Sequence, residues 1–188
     1  MKIEKDEKAT LKPVGSGVNR SKGLHLSNVI HDIANALDMN PKGADWDLNT
    51  CCEVGFLWED VLSEVFGNRM GKRISEVELL GISGSPDGIA YENGELILEE
   101  YKCTWRSVRN CPSDNWKWMT QIKAYCWMLS KQMKTPCTKV RMRILYINGM
   151  YKPPSPIYSE YVIRFTVQEL SDNWDMIMNH AKSKGWIK

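Results

Sequence analysis

Asn93-Gly94, set between two apolar runs, is the feature that most constrains how this 188-residue chain can fold. A type I′ turn needs positive φ at both central residues, and Asn-Gly accepts that more readily than almost any other pair. Ile82 to Tyr91 and Glu95 to Cys103 are therefore expected as paired antiparallel strands. Side chains alternate along a strand, so Leu96, Leu98, Glu100 and Lys102 share one face, while Ile97, Glu99, Tyr101 and Cys103 share the other. A buried face that runs apolar, apolar, Glu, Lys is unusual. Asp87 lies on the first strand of the same hairpin, after Ser85-Pro86 and before Gly88, where turn-forming residues can aim its carboxylate toward Glu100.

That chemistry suits hard divalent cations. Mg²⁺ takes oxygen ligands, commonly one or two carboxylates with water and substrate phosphate, so Asp87 and Glu100 are a sufficient nucleus for a site. A lysine two residues beyond a ligand, on the same face, can hold or deprotonate an attacking water or balance charge on phosphate. A solvated hairpin whose Glu and Lys form a surface pair of small energetic value explains the same local pattern. The pattern alone leaves both readings open.

Two further motifs flank the hairpin. Upstream is Gly55-x-x-x-Glu59, on a helical stretch whose apolar residues Val54, Leu57, Trp58, Val61, Leu62 and Val65 are expected as a long buried stripe. Glu59 sits beside that stripe, with Gly55 and Ser63 one turn to either side leaving room for a strand edge or substrate backbone. Read by itself it is a solvated flank residue. Downstream is Gln121-x-x-x-Tyr125, on a helix expected from Asp114 to about Lys131, with Trp118, Gln121, Ile122, Tyr125 and Leu129 on one stripe. An amide on a core-facing stripe costs roughly 1–3 kcal/mol unless something bonds to it. Gln121 is therefore expected to have a partner, either a neighbouring backbone group or a site.

Ser85-Pro86-Asp87-Gly88, followed by Glu100-Tyr101-Lys102 and flanked in order by these two motifs, resembles the PD-(D/E)XK nuclease signature. The similarity is to the branch of phage lambda-type exonucleases, RecB-type nuclease domains and CRISPR-associated nucleases. It implies a restriction-endonuclease-like α/β core, a mixed central β-sheet flanked by helices. It also implies that Glu59, Asp87, Glu100 and the Tyr101 carbonyl hold one or two Mg²⁺ or Mn²⁺ ions. Lys102 would orient or activate water, and Gln121 and Tyr125 would position water and phosphate. Some members of the branch carry an iron–sulfur cluster on four cysteines, one before the core and three after it. Here the cysteines stand at 51, 52, 103, 111, 126 and 137, are not grouped that way, and no cluster is expected.

The net charge of +2 gives no strongly cationic field, so any nucleic-acid affinity must come from local patches. No apolar run approaches the roughly 20 residues of a membrane span, and the N-terminal stretch lacks a signal peptide's apolar core. With no CxxC pair and no export signal, the cysteines are expected as reduced thiols in a cytoplasm, bacterial or that of a host cell.

Residues 1–23 show no apolar periodicity and are expected as a flexible or irregular arm preceding a single domain over 24–188. Ser27 is a candidate N-cap for a helix through Leu37. With Arg20 and His25 it stands near a helix start where a DNA phosphate can bind, although capping by Ser27 and packing by His25 explain the same residues. Ser85, in the turn before Asp87, is a further candidate nucleic-acid contact. Beyond Lys102, the loop 103–112 carries Trp105, Arg106 and Arg109, a basic and aromatic combination suited to a nucleic-acid strand; Trp105 tucked under the fold is the equal alternative. Lys139, Arg141 and Arg143 alternate with Val140, Met142 and Ile144, giving a strand with a basic side, read first as the soluble face of an edge strand and second as a wall of a DNA channel. Thr166-x-x-Glu169 is a capping box for a last helix packed through Leu170, Trp174, Ile177, Met178 and Ala181. The eight tryptophans are expected mostly at core positions.

The expectation is a metal-dependent phosphodiesterase, an exonuclease acting on DNA ends in recombination, repair or replication. A single-strand annealing or other recombination protein is a possible partner. A structure-specific or nicking endonuclease of the same fold is the alternative within the class. A catalytically inactive nucleic-acid-binding module is the alternative outside it. A metal-dependent enzyme with a non-nucleic substrate finds no specific support.

Overall fold

The computed structural model describes residues 23–39, 48–66, 71–150 and 155–188; within the second segment the side chains of 48–53, 59, 63 and 66 are excepted. The expected N-terminal arm lies outside the described residues, Gly23 apart.

Strand β1 (Leu24–His25) leads into helix α1 (Leu26–Ala36), and α2 spans Leu48–Phe66. Short strands β2 (Val77–Leu79) and β3 (Ile82–Gly84) precede the hairpin of β4 (Gly88–Glu92) and β5 (Glu95–Thr104). Helix α3 (Trp116–Met133) joins β5 to β6 (Lys139–Tyr146), and β7 (Ile157–Arg164) and α4 (Val167–Ser183) complete the chain. The result is a mixed α/β architecture, as expected. Among the described residues the strands form two mixed sheets: β1-β3-β2, with β1 parallel and β2 antiparallel to β3, and β4-β5-β6-β7, in which β5 and β6 run parallel and the other pairs antiparallel.

The Asn93-Gly94 turn forms with φ of 52° and 80° and sets the register Gly88↔Glu99 through Glu92↔Glu95. The expected first strand of the hairpin is not continuous. It breaks at Ser85-Pro86-Asp87, and β3 pairs with β1 and β2 in the other sheet. Pro86 lacks an amide donor, so its own ladder bond is lost there and the chain is free to change sheets.

Leu96 and Leu98 of β5 and Val140, Met142 and Ile144 of β6 enter one apolar core with residues of α1, α3 and α4. Helix α4 is capped by Thr166 and Glu169 reciprocally and buries all five residues expected of it. Helix α2 packs against β5, with Leu62 fully buried and the Trp58 ring 6.1 Å from that of Tyr158. Its apolar stripe is only partly covered: Leu57, Val61 and Val65 are 63%, 48% and 63% exposed, contrary to the long buried stripe expected. The tryptophans also depart from expectation. Among the described residues Trp174 is buried, Trp186 is exposed, and Trp58, Trp105, Trp116, Trp118 and Trp127 are half-buried.

Lys139, Arg141 and Arg143 are neither an edge-strand face nor a channel wall. Strand β6 lies inside its sheet, and the parallel register places Arg141 beside Glu99 and Arg143 beside Tyr101. Glu99, with no exposed surface, bonds Arg141 Nη1 at 2.8 Å and also Arg143 Nη1; Glu160 accepts from Arg143 Nε at 3.0 Å. Glu92 and Glu95 pair with Lys139, Arg141 and Arg164 along the same ladder. The basic side is matched by acids from three neighbouring strands.

Candidate active site

The hairpin register would set Asp87 opposite Glu100, one step beyond Gly88↔Glu99. Instead of a further ladder bond, the Tyr101 amide donates to Asp87 Oδ2 at 2.7 Å, which fixes the carboxylate where β4 begins. Glu100 is 1% exposed, and its Oε1 accepts from the Lys102 ammonium. Lys102 Nζ also donates to Gln121 Oε1 at 3.0 Å, and Gln121 Nε2 donates to the Tyr125 hydroxyl at 3.1 Å. Glu100, Lys102, Gln121 and Tyr125 thus form one hydrogen-bonded chain from β5 to α3, with Asp87 at its edge. The partner expected for Gln121 is Lys102 on one side and Tyr125 on the other.

The chain is held from behind by close packing. A Cβ at position 84 would lie 2.6 Å from Tyr125 Cε1, so the last residue of β3 must be glycine for the ring to reach the site. Burial pushes the Tyr125 hydroxyl far above its usual range, with the nearby Glu100 charge in the same direction, so it stays protonated. The Ser85 side chain is exposed.

Burial pushes the Asp87 carboxyl above its ordinary value of 3.8, against the pull of the Lys102 charge, the Tyr101 amide and Arg73. A carboxyl raised in the folded state binds its proton more tightly there than in the unfolded chain. Its contribution to stability is therefore full below 3.8 and is lost as pH rises through the raised value. In a chelator, Asp87→Asn is expected to gain on wild type as pH rises from acid to neutral. Urea midpoints of both proteins across that range check this, and a difference that stays constant with pH would contradict it.

Not every expected site residue is placed here. Glu59 belongs to α2, but its side chain lies outside the described residues. Gly55, one turn before it, has nothing within 4 Å of where a Cβ would stand, so packing does not demand a glycine there. Among the described residues no three His, Cys, Asp or Glu side chains gather into a cluster that could hold a metal. Asp87 and Glu100 offer only carboxylate oxygens, a donor type that suits Mg²⁺ or Mn²⁺ and not a soft metal.

Ser27 does not cap α1: His25 holds the N-cap position without a side-chain bond, and Ser27 is exposed in the first turn. His25 packs between Ser83 Oγ at 3.4 Å and Glu76 Oε1 at 3.3 Å. In the loop after β5, Arg106 and Arg109 are exposed and Trp105 is half-buried, its carbonyl accepting from Asn148 Nδ2 at 3.3 Å. Of these three, Arg106 lines a cleft of about 390 Å³ into which Lys102 and Gln121 also face. The cleft is also lined by Ser27 and His31 of α1, by Asp114, and by Trp116, Lys117 and Trp118 of α3. Ser27 was a candidate contact; sequence reasoning missed His31, Trp116 and Lys117 and read Trp118 only as part of a helical stripe. The available signal was Trp-Lys-Trp placed one turn ahead of Gln121.

No family model and no curated protein matches the chain. Among solved structures, a phage-related exonuclease from Haemophilus somnus 129PT aligns with a TM-score of 0.51 at 13% identity, over 84% of this chain and 79% of that one. The shared property is the fold. The structure of SSO0001 aligns with a TM-score of 0.44 at 16% identity, over 87% of this chain and 78% of that one. Among the described residues, no helix is long and apolar enough to cross a membrane.

Proposed function

We propose that this protein is a metal-dependent deoxyribonuclease, working as an exonuclease on DNA ends. The observation that carries the reading is the single chain of hydrogen bonds through Glu100, Lys102, Gln121 and Tyr125, with Asp87 fixed beside it by the Tyr101 amide. The fold shared with a phage-related exonuclease supports it.

Asp87, Glu100 and the Tyr101 carbonyl, with Glu59 as the expected third carboxylate, would hold Mg²⁺ or Mn²⁺. When bound, the ion would supply Lewis-acid stabilisation of charge on the phosphate and lower the pKa of water. Lys102 presents an ammonium beside Glu100 and holds the attacking water in line with the phosphorus. Gln121 fixes the Lys102 head group and leaves the Tyr125 hydroxyl as a neutral donor to a phosphate oxygen. Hydrolysis breaks one P–O bond; the attacking water supplies the new oxygen and gives up a proton, and the leaving sugar oxygen takes a proton to become a hydroxyl.

A time course with 5′-labelled and 3′-labelled linear DNA and with closed circles tests the mode. Loss of linear DNA with circles spared is the expected result, and the label released early gives the polarity. Nicked or linearised circles would replace the exonuclease by an endonuclease of the same chemistry.

A further inference from the structure

Where the end of α3 meets the lead-in to β6, the core holds two facing thiols, and we infer that Cys126 and Cys137 are a disulfide site: under oxidising conditions they join and staple α3 to the segment before β6. The inference is independent of the nuclease reading, since it uses neither the carboxylates nor the cleft. The two residues stand eleven apart in sequence, their sulfurs lie 4.0 Å from each other, and neither residue has exposed surface. One hydroxyl fixes their backbones as well. Ser130 Oγ donates to the Cys126 carbonyl at 2.7 Å and accepts from the Cys137 amide at 2.8 Å. Buried cysteines also pack as small hydrophobes, but packing alone does not require two thiols to face one another across a backbone clamp. A disulfide needs its sulfurs about 2.05 Å apart on backbones that are already close. The Ser130 clamp supplies the closeness, so what remains is an approach of the sulfurs by about 2 Å.

The movement belongs to Cys137. Cys126 sits in the body of α3, where Ile122, Met128 and Leu129 are locked in the core. Cys137 instead follows Lys134, Thr135 and Pro136, a stretch outside any helix or strand that starts with Lys134 at φ 51° and carries an exposed proline. Opening that stretch brings the Cys137 thiol to solvent. There its thiolate attacks a small-molecule disulfide, RSSR, forming a mixed disulfide and releasing one RS⁻, which takes up the proton that Cys137 lost. Cys126 then gives up its proton, and its sulfur attacks Cys137 Sγ and expels the second RS⁻, which is protonated in turn. The two cysteines lose two electrons and two protons, and RSSR is reduced to two RSH. Burial, with the Cys137 thiol beside it, pushes the Cys126 thiol up, so the second attack is the slower one and quickens as pH rises. The helix keeps its place throughout, and Gln121 and Tyr125 with it.

The test treats the folded full chain with oxidised glutathione until the exposed thiol of Cys111 has reacted, blocks the remaining thiols, and maps the peptides by mass spectrometry. The expected product is a Cys126–Cys137 linked peptide, lighter by two hydrogens, that forms faster at alkaline than at neutral pH. The thermal midpoint of the oxidised protein is expected to stand about 5 °C or more above that of the reduced protein, because the link restricts the unfolded chain. Dithiothreitol should return it to the reduced value. In Cys137→Ser, compared oxidised against reduced, no such rise is expected. Cys126 and Cys137 still present as thiols once Cys111 has reacted, either of them linked to a different cysteine, or a link that leaves the midpoint unchanged or lower would overturn the inference.

Discussion

Lys102→Met is expected to lower Mg²⁺-dependent DNA cleavage by about 10²–10⁴-fold, the usual contribution of a group that handles a proton or orients water in the transition state. Methionine keeps most of the stem and removes the ammonium, so packing around β5 is preserved while the bonds to Glu100 and Gln121 are lost. Single-turnover cleavage with saturating enzyme measures the chemical step. Gln121→Met, which leaves the Glu100–Lys102 pair in place, is expected to cost less. If Lys102→Met cleaves within a few-fold of wild type, Lys102 is only a partner that neutralises Glu100.

Glu99→Ala is expected to cost stability of about 3–5 kcal/mol, the usual effect of removing one member of a buried charge network. Glu99 is adjacent to Glu100 in sequence but faces the opposite side of the sheet, where it accepts from both Arg141 and Arg143. Burial pushes its carboxyl up and the two guanidiniums pull against that, so the pair of arginines depends on its charge. Its loss leaves Arg143, 3% exposed, without the carboxylate it shares with Arg141. Replacing Glu99 and Arg143 together by apolar residues of similar volume is expected to cost less than Glu99→Ala alone. Urea unfolding of the single and double variants gives both numbers. Equal midpoints for wild type and Glu99→Ala would show that the ladder contributes nothing.

The parts of the fold legible in the sequence are those fixed by contacts a few residues apart. Asn93-Gly94 set the hairpin register, Thr166 and Glu169 set the start of α4, and the alternation along β5 put Glu100 and Lys102 on one face. The amide of Gln121 on a core-facing stripe was legible as a cost that required a partner, and the partners proved to be Lys102 and Tyr125. What was not legible depends on strands far apart in sequence. Ile82 to Gly84 read as the beginning of the hairpin because its parallel partner β1 is two residues long and carries no pattern of its own. Arg141 and Arg143 read as a solvated side because their carboxylates come from β4, β5 and β7, and only the parallel β5–β6 register brings them together. The Trp116, Lys117 and His31 walls were hidden for the same reason: α1 and α3 meet at the site, but nothing local to either helix says so.

The most direct test of the account is cleavage of linear DNA titrated with Mg²⁺ and with EDTA, by wild type and by Glu100→Gln, with thermal unfolding of both proteins followed in parallel. The account predicts cleavage by wild type that rises with Mg²⁺ and ends with chelation. It predicts a Mg²⁺-dependent rise in wild-type unfolding temperature, and loss of both effects in a variant that remains folded. Cleavage by Glu100→Gln at the wild-type rate, or wild-type cleavage that persists in EDTA, would contradict the assignment of Asp87 and Glu100 as the carboxylates of a hydrolytic metal site.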